Sequence, residues 1–540
     1  MKRHPLLVAF AILVLLTVYL TWPQAAVMNT SFAWHNDPHF SVWRLAWIAH
    51  ALRSDPAHLF DGNIFYPARL TLAYSDATFL EGLAGAPLFY AGVPPLVVYN
   101  ILLFAGFVAS GMAMFVLARY LTGSTGGALI AAAIFTMVPY RIEHFGHLEL
   151  QWAMWIPLAL WAVHRTVDDP TWRRGALAGI FLWLQVLSCV YYGIFLAITM
   201  ALLSMLLAGR VYLRRGDRLA AIVGWLTVGA VIAAVLTLPY ARPYVENARL
   251  FGGRNLDEIR RFSATPISYL SAPAQSWLWG WTSDFGDMER RLFPGVVAVA
   301  LAGIALASRS TKFVWMYAFI ALVSVELSFG LHGYLYSWIY AHSSALKGLR
   351  AAARFSIIAF GALAVLAASG FAAIESRLRS EAARQSLLFG VLLLVAVEYG
   401  SAPMTLTPVP QRAASVYKTI RGLGRGPILE LPLPHMDELP GHEAIYEFWS
   451  IEHWFPLVNG YSGYYPPDYF ATILRMMVFP DAMSISRLQA LGVKYIIVHA
   501  DFYAPEEYKS LLRRMVERPE LKAIGRFEDP VGVADLFELR

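Results

Sequence analysis

The stretch that decides the fold of this chain is the apolar run LLVAFAILVLLTVYLTWPQAAV at residues 6–27, followed shortly by WHNDPHF at 34–40. The first segment has about the 20 apolar residues that a helix needs to cross a bilayer. The second segment places Asp37, with the imidazoles of His35 and His39, in a polar loop just outside the membrane surface. We expect this arrangement to support chemistry at a bilayer and not simple anchoring.

Composition extends the membrane interpretation to the whole chain. Of the 540 residues, 58% are hydrophobic and 15% are charged, against about 25% charged in soluble domains. The mean hydropathy is +0.51. The net charge of +6 comes from Lys and Arg that cluster between apolar runs, where basic residues set topology, so we do not expect nucleic-acid binding. Cys189 is the single cysteine, which excludes an intramolecular disulfide and a multi-thiolate metal site.

The apolar runs predict about eleven membrane spans, two of which are separated by a turn around Ser188 and Cys189. They lie near 6–27, 93–118, 126–140, 151–164, 175–188, 190–208, 219–240, 292–308, 312–330, 355–373 and 386–402. With this division the basic loop residues all fall on one side, which the positive-inside rule makes cytoplasmic. These residues are Lys2, Arg3, Arg119, Arg165, Arg173, Arg174, Arg210, Arg214, Arg215, Arg218, Arg309, Lys312, Arg377, Arg379 and Arg384. The N-terminus is then inside and the C-terminus outside.

The first external loop, 28–92, is too long to act only as a connector. It contains a predicted amphipathic helix from Phe40 to Arg53, whose Trp43 and Trp47 we expect to lie in the membrane interface. The loop ends in an apolar stretch, 79–92, which we interpret as re-entrant or interfacial.

The long apolar runs end near Pro403, and the segment 403–540 reads as a small soluble α/β domain. Predicted strands cover 427–431, 493–499, 521–527 and 533–539, and predicted helical patterns cover 473–477 and 505–516. The chain therefore divides into a membrane domain, 1–402, and an extracytoplasmic domain, 403–540. The predicted fold class is a polytopic α-helical membrane protein of about eleven transmembrane helices with a small C-terminal α/β domain.

A second external loop carries the sequence RIEHFGHLE at 141–149. A helical turn there would place Glu143 and His147 on one face, where they are candidate ligands of a metal or phosphate site. The bland alternative is an ordinary polar loop, and no zinc-protease pattern H-E-x-x-H is present.

Arg350 and Arg354 are four residues apart at the start of a predicted span. Two guanidinium groups on one helical face can grip a phosphate bidentately. The alternative is that both arginines anchor the chain to lipid headgroups.

Taken together, this organisation resembles the GT-C superfamily of integral membrane glycosyltransferases. The resemblance covers the whole chain and includes three local strings, HFGHLE at 144–149, LRAAARF at 349–355 and NGYSGYYPP at 459–467. It implies a GT-C-like fold in a bacterial inner membrane, a polyprenyl-phosphate-linked sugar as the donor, and transfer on the non-cytoplasmic face. Two departures are visible: Asp37-Pro38 stands where paired acids are often found, and the acceptor-peptide signature of oligosaccharyltransferases is absent.

The resemblance and the residues together suggest roles for the candidate side chains. Asp37 is the expected general base for a glycan, lipid or protein acceptor. The remaining candidates are Arg350, Arg354 and Arg141 for the donor phosphate, Glu143 and His147 for a divalent cation such as Mg²⁺ or Mn²⁺, and Tyr461, Tyr464, Tyr465 and His39 for sugar or acceptor.

Two other functional classes stay open at this point. A transporter or flippase of lipid-linked sugars would use charges inside the membrane, for which Glu326 and Glu398 are the main candidates. A non-catalytic assembly protein would use its external domain to recruit an enzyme.

Overall fold

The computed structural model of the protein describes residues 4–33, 36–213, 216–308, 311–343, 346–401, 403–410, 413–529 and 532–540. Several residues used above lie outside these ranges, namely Lys2, Arg3, His35, Arg214, Arg215 and Arg309. The chain forms two compact units. Unit 1 comprises Met1–Val27, Asn100–Arg242 and Gly252–Thr405, and unit 2 comprises Met28–Tyr99, Pro243–Phe251 and Leu406–Arg540. The sequence division into 1–402 and 403–540 thus differs from these units, because 28–99 clusters with the C-terminal residues.

Among the described residues, five helices are long and apolar enough to cross a membrane. They are Pro95–Thr122, Thr125–Glu143, Val190–Leu213, Leu219–Phe251 and Ala352–Glu375. Shorter apolar helices are Pro5–Leu20, Val296–Ser308 and Val314–Ser328. The other predicted segments hold the helices Trp155–Asp168, Trp172–Ser188 and Glu381–Glu398. The protein is therefore a multi-pass membrane protein, and the number of eleven spans stays a prediction.

The helix Ser356–Glu375 lies at the centre of unit 1, packed against Val296–Ser308, Thr125–Met137 and Val314–Ser328. Small residues permit this packing. A Cβ added at Gly370 would lie 1.9 Å from the carbonyl oxygen of Leu301. The helices approach backbone to backbone there, which is typical of association within a membrane.

A second close approach joins Trp172–Ser188 to the helix Leu219–Phe251. Gly175 and Gly179 form a G-x-x-x-G pattern. A Cβ at Gly179 would lie 2.0 Å from the carbonyl oxygen of Gly229. Only glycine fits at these positions, because any side chain would push the helices apart.

The first loop folds differently from its prediction. A helix spans Asn36–Ser54, so Asp37 lies in a first helical turn and not in an open polar loop. Trp43 is fully buried and donates its indole N–H to Asn63 Oδ1 at 3.0 Å. Trp47 donates to the carbonyl oxygen of Leu59 at 2.8 Å. The expectation of an interfacial position is therefore wrong for Trp43, which is fully buried in unit 2, and stays a prediction for Trp47, which is only partly buried. The apolar stretch that follows forms the helix Phe79–Tyr90.

The described residues of unit 2 form two sheets. Strand β1 (Ser31–Ala33) pairs antiparallel with β2 (Leu406–Pro408). A four-stranded sheet has the order β3-β4-β6-β5, with β3 (Ile428–Leu431) parallel to β4 (Tyr495–His499). The closing pair, β5 (Leu521–Asp529) and β6 (Gly532–Leu539), is antiparallel. All four strands lie where the alternating and apolar patterns predicted them.

The helices around the larger sheet pack apolar side chains into more than one core. One core includes Leu429, Ile496, Met515 and Phe537, and another includes Val416, Ile420, Tyr446 and Ile497. These helices are Ser415–Gly422, Glu443–Ser450, Pro467–Met476, Ala482–Ala490 and Pro505–Val516. Among the described residues, further short α-helices are Pro139–Glu143, Leu148–Gln151, Leu256–Arg261 and Tyr334–His342.

Candidate functional site

A buried ion pair lies at the start of the central helix of unit 1. Arg354 is in the short turn Ala352–Phe355 and donates from Nε and Nη2 to Glu289 Oε2 and Oε1, at 3.1 and 2.5 Å. The side chains are only 6% and 13% exposed. This fork-to-fork geometry is the strong form of an arginine–carboxylate contact. It holds a guanidinium in a unit that is otherwise mostly apolar.

Two histidines join this pair. The Nε2 of His144 lies 3.7 Å from Glu289 Oε2. The ligand atoms of His144, His147 and Glu289 all lie within 4.8 Å of one another. Burial opposes ionisation of Glu289, but Arg354 and then His144 hold the pKa of this carboxyl well below its usual range. An ionised carboxylate with two imidazoles is a donor set that fits a divalent cation.

Arg350 lies close to this group but is not on the same helical face as Arg354. The turn begins at Ala352 and the helix at Ser356, so Arg350 precedes both. Its Nη1 lies 3.3 Å from Glu258, and its side chain is 36% exposed. Tyr191 contacts both arginines: its hydroxyl accepts the backbone N–H of Arg350 at 3.0 Å, and its ring centroid lies 5.3 Å from Arg354 Cζ. The two residues thus come together through Tyr191 and not through i,i+4 spacing.

The predicted metal pair of Glu143 and His147 is corrected. The helix Pro139–Glu143 ends at Glu143, so one helical face cannot carry both residues. Glu143 Oε1 instead accepts from Arg291 Nη1 at 2.8 Å. His147 belongs to the candidate cation group with His144 and Glu289, which replaces Glu143.

The Arg141 side chain is held by contacts within the protein. Its side chain is fully buried, and its Nη2 donates to the carbonyl oxygen of Gln151 at 2.7 Å while Nε donates to Gln151 Oε1 at 3.1 Å. Its Cζ lies 4.3 Å from the ring centroid of Phe107. This guanidinium stabilises the local packing, and a phosphate would have to displace those contacts. These contacts do not test the external-loop position of Arg141, and its phosphate role stays a proposal.

In unit 2, Asp37 is buried to 8% exposure and accepts a hydrogen bond from the Tyr461 hydroxyl at 2.8 Å on Oδ1. The two residues are 424 positions apart in sequence. Both were candidate site residues, and the structure brings them into direct contact.

The other three candidates of unit 2 pack against aromatic rings. Tyr464 stacks on Phe251 with ring centroids 4.8 Å apart, and Tyr465 meets Phe65 edge to face at 5.6 Å. The ring of His39 lies between Phe32 and Phe448, at 4.4 and 5.5 Å. These contacts are those of a packed core, and the sugar-binding role of the three side chains stays a proposal.

Comparison with known proteins identifies the fold. No family model matches the sequence, and no curated protein matches it. Among solved structures, the arabinofuranosyltransferase AftD from Mycobacteria aligns with a TM-score of 0.63 at 15% identity, over 100% of this chain and 40% of its own. ArnT from Cupriavidus metallidurans aligns with a TM-score of 0.52 at 13% identity, over 100% of this chain and 98% of its own. The chain has the fold of the GT-C glycosyltransferases.

The GT-C resemblance read from the sequence strings is thereby confirmed at the level of fold. A second structure of ArnT, described as bound to undecaprenyl phosphate, aligns with a TM-score of 0.51 at 12% identity, over 99% of this chain and 98% of its own. The present chain spans only 40% of the length of the mycobacterial arabinofuranosyltransferase. At such identities the likeness concerns the backbone of the GT-C fold and leaves the site residues to be argued from this chain.

Sequence reasoning missed Glu289 in this GT-C fold. The residue lies in a loop, 241–291, that stood out only for its Arg, Asp and Trp content. The one local signal is the sequence DMERR at 287–291, where an acid precedes two arginines just before an apolar run. That pattern is common at membrane surfaces, so only the fold assigns Glu289 its partners.

Proposed function

We propose that this protein is a GT-C glycosyltransferase that transfers a sugar from a polyprenyl-phosphate-linked donor to an acceptor on the non-cytoplasmic face of the membrane. The fold supports a transferase of this type. The single observation that carries the proposal is the buried Arg354–Glu289 pair, with His144 and His147 beside it, at one end of the central membrane helix. Such a group is costly to bury in an apolar unit, which points to a functional role.

Arg354 is proposed to bind the donor phosphate and to stabilise the charge of the phosphate that leaves. The guanidinium donates from Nε and Nη2 to Glu289, so a phosphate would have to share or displace these contacts. The planar fork suits phosphate oxygens as well as it suits a carboxylate. Arg350 is more exposed and contacts the same tyrosine, Tyr191. Its guanidinium is proposed to provide a second positive charge for the donor phosphate. That ArnT was solved with undecaprenyl phosphate supports a lipid phosphate as the ligand class.

A divalent cation is proposed at His144, His147 and Glu289. When bound, it would supply positive charge close to the donor phosphate. Two imidazole nitrogens and one carboxylate suit Mn²⁺ or Zn²⁺ better than Mg²⁺, which prefers an all-oxygen shell.

Asp37 is proposed as the general base that accepts the proton of the acceptor hydroxyl. A carboxylate at a first helical turn is held in a defined orientation, which general-base catalysis requires. Tyr461, Tyr464, Tyr465 and His39 are proposed to contact the sugar or the acceptor, which is a glycan, a lipid or a protein.

The topology is proposed from the loop charges. About eleven spans, a cytoplasmic N-terminus and an extracytoplasmic 403–540 segment in a bacterial inner membrane would place the candidate residues on the non-cytoplasmic side. The C-terminal segment is proposed to act as an α/β domain there.

The two acids that a transporter would use, Glu326 and Glu398, contact backbone N–H groups at helix starts. Glu398 accepts the backbone N–H groups of Val296 and Val297 at 2.7 and 3.0 Å, at the start of a helix. Glu326 Oε1 accepts the backbone N–H of Leu335 at 2.7 Å. Both acids therefore stabilise helix starts, which favours a structural role over a place on a transport pathway.

The test uses the full chain in nanodiscs with arabinofuranosyl, mannosyl, glucosyl and aminoarabinosyl polyprenyl phosphates as donors. Alkyl glycosides serve as acceptors, and release of polyprenyl phosphate is followed by mass spectrometry. We expect turnover of at least one donor, and a loss of about 100-fold in Arg354→Lys, because an ammonium cannot reproduce the planar fork.

Arg260→Lys is the matched control, since Arg260 forms an exposed pair with Asp257. A transferase predicts that this variant turns over like the wild type. Equal turnover in Arg354→Lys would remove Arg354 from the mechanism. Donor flipping into the opposite leaflet without release of polyprenyl phosphate would favour the flippase, and inactivity with every donor would favour the assembly protein.

A further inference from the structure

We propose that Tyr461 is the positioning residue of Asp37, and that the buried acids Glu447 and Glu443 clamp the Tyr461 segment to make this possible. The inference rests on the proposed role of Asp37 as general base. It concerns only unit 2, in which all four residues lie.

Tyr461 is fixed at three points. Its hydroxyl donates to Asp37 Oδ1 at 2.8 Å. Its ring packs edge to face on Phe40, with centroids 5.3 Å apart, one helical turn beyond Asp37. Its backbone N–H donates to Glu447 Oε1 at 2.5 Å. A tyrosine held by its backbone, its ring and its hydroxyl can orient a carboxylate at little further cost in conformational entropy.

Glu443 and Glu447 are four apart on the helix Glu443–Ser450, and both are fully buried. The two carboxyl groups accept hydrogen bonds from consecutive residues, Gly460 and Tyr461. Glu443 Oε2 accepts the backbone N–H of Gly460 at 2.7 Å, and Glu447 accepts that of Tyr461. A side chain is excluded at Gly460, where a Cβ would lie 2.6 Å from the Phe65 ring. The clamp therefore works through backbone groups.

The segment is also tied to the sheet. Asn459 Nδ2 donates to Glu443 Oε1 at 3.1 Å and to the carbonyl oxygen of Glu430 at 2.9 Å. Asn459 Oδ1 accepts the backbone N–H of Glu430 at 2.7 Å. Glu430 lies in β3, so this side chain extends the hydrogen-bond ladder from the sheet to Tyr461. The segment that contacts Asp37 is thus hydrogen-bonded to the larger sheet of unit 2.

The charge state of the clamp fits this role. Burial raises the pKa of Glu443 to about 8, although the hydrogen bonds from Asn459 and Gly460 oppose the rise. Burial also raises the pKa of Glu447 well above its usual value, and nearby Glu443 adds to this while the backbone N–H of Tyr461 and Arg44 oppose it. Burial therefore disfavours a negative charge on either acid beside Asp37.

The chemical consequence for Asp37 is specific. A hydroxyl donor favours the ionised form of a carboxylate and fixes its rotation. An ionised, oriented carboxylate is the competent form of a general base. A purely structural Tyr461 would affect stability, whereas a positioning Tyr461 also affects the pH dependence of turnover.

The test compares Tyr461→Phe with Tyr90→Phe, using the donor with the highest turnover in the panel described above. Tyr90 is the matched control, because its hydroxyl donates at 2.9 Å to the carbonyl oxygen of Ala49 in the same helix as Asp37. Tyr461→Phe keeps the aromatic ring that is proposed to contact the sugar or the acceptor and removes only the hydroxyl bonded to Asp37. We therefore expect it to lower kcat about 10-fold with KM unchanged, and to move the acidic limb of the pH–rate profile to higher pH. Tyr90→Phe is expected to keep the wild-type kcat and profile.

A double-mutant comparison with Asp37→Asn separates the two proposals. If Tyr461 acts through Asp37, Tyr461→Phe has no further effect in the Asp37→Asn background. Wild-type turnover in Asp37→Asn would overturn the role of Asp37 itself. An inactive Asp37→Asn beside a Tyr461→Phe with wild-type kcat and profile would overturn only the positioning role. So would a Tyr461→Phe variant that loses Tm and activity together without any shift of the profile.

Discussion

Arg354 and Glu289 form a two-point ion pair, in which Nε and Nη2 of the arginine each donate to a different carboxylate oxygen. The two residues are 65 positions apart in sequence and meet at the start of the central helix of unit 1. Both are mostly buried, so neither can lose its partner without leaving a charge in an apolar environment. Of the charged groups in the candidate site, we therefore expect this pair to tolerate substitution least.

Removing the acid of this pair should destabilise the fold. Glu289→Gln leaves the buried guanidinium without a countercharge, and we expect the free energy of unfolding to fall by about 3–5 kcal/mol. Thermal unfolding in detergent measures the effect as a lower Tm. Asp257→Asn is the control, because it removes an exposed partner and should cost less than about 0.5 kcal/mol. Equal Tm values for the two variants would contradict the buried pair.

The cation group makes a separate prediction. After chelator treatment, Mn²⁺ or Zn²⁺ should raise the Tm of the wild type, with a stabilisation of about 2.7 kcal/mol at 100 times the Kd. His144→Ala and His147→Ala should abolish this response, and Mg²⁺ should give little. His58→Ala should respond like the wild type, since His58 is an exposed residue paired with Asp55. An undiminished response in both cluster variants would exclude the site.

Stability should depend on pH through Glu443. Its pKa is about 8 in the folded protein and near 4.5 when unfolded, so the folded state binds more protons between these values. Stability is therefore full below about pH 4.5 and declines as pH rises toward 8, by up to about 1.4 kcal/mol per pH unit for this group. A Tm series from pH 5 to 8 should be flatter for Glu443→Gln than for the wild type. Glu506→Gln, at an exposed position, should keep the wild-type slope.

The close approach of helices in unit 1 can be tested with two glycines of the helix Leu219–Phe251. Gly229→Ala places a Cβ 2.2 Å from the carbonyl oxygen of Gly175, so we expect a lower Tm. Gly224 has open space around its Cβ position. Gly224→Ala should therefore match or exceed the wild-type Tm, since alanine is favoured over glycine in helices by about 1 kcal/mol. The reverse order would mean that these helices do not meet at Gly229.

Topology is tested with reporters. An alkaline phosphatase fused after Arg540 should be active, because the positive-inside rule places this end outside. A fusion within 210–218 should be inactive as a phosphatase and fluorescent as a green fluorescent protein. An inactive phosphatase after Arg540 would overturn the proposed orientation, together with every role assigned on the external face.

The sequence by itself determined where the helices and the strands of the larger sheet lie. Apolar runs of about 20 residues and alternating patterns are local signals, because backbone hydrogen bonding and burial act over a few residues. The longer helices of unit 1 and the strands β3 to β6 accordingly appear near the predicted positions, whereas the short helices Leu148–Gln151, Leu256–Arg261 and Tyr334–His342 were not predicted. The local strings at 144–149, 349–355 and 459–467 also pointed to the correct fold. Asp37, Arg354, His147 and Tyr461 were recognised as polar residues of unusual placement.

Only the tertiary structure decided which of these side chains meet. Glu289 joins His144, His147 and Arg354 from a loop that had no distinctive pattern, and Tyr461 reaches Asp37 across 424 positions. Trp43, which the amphipathic pattern assigned to the membrane interface, is instead buried in unit 2 and donates its N–H to Asn63. The reason is physical: a local pattern records which residues avoid water, whereas the partner of a buried polar group is set by how distant helices and strands pack together.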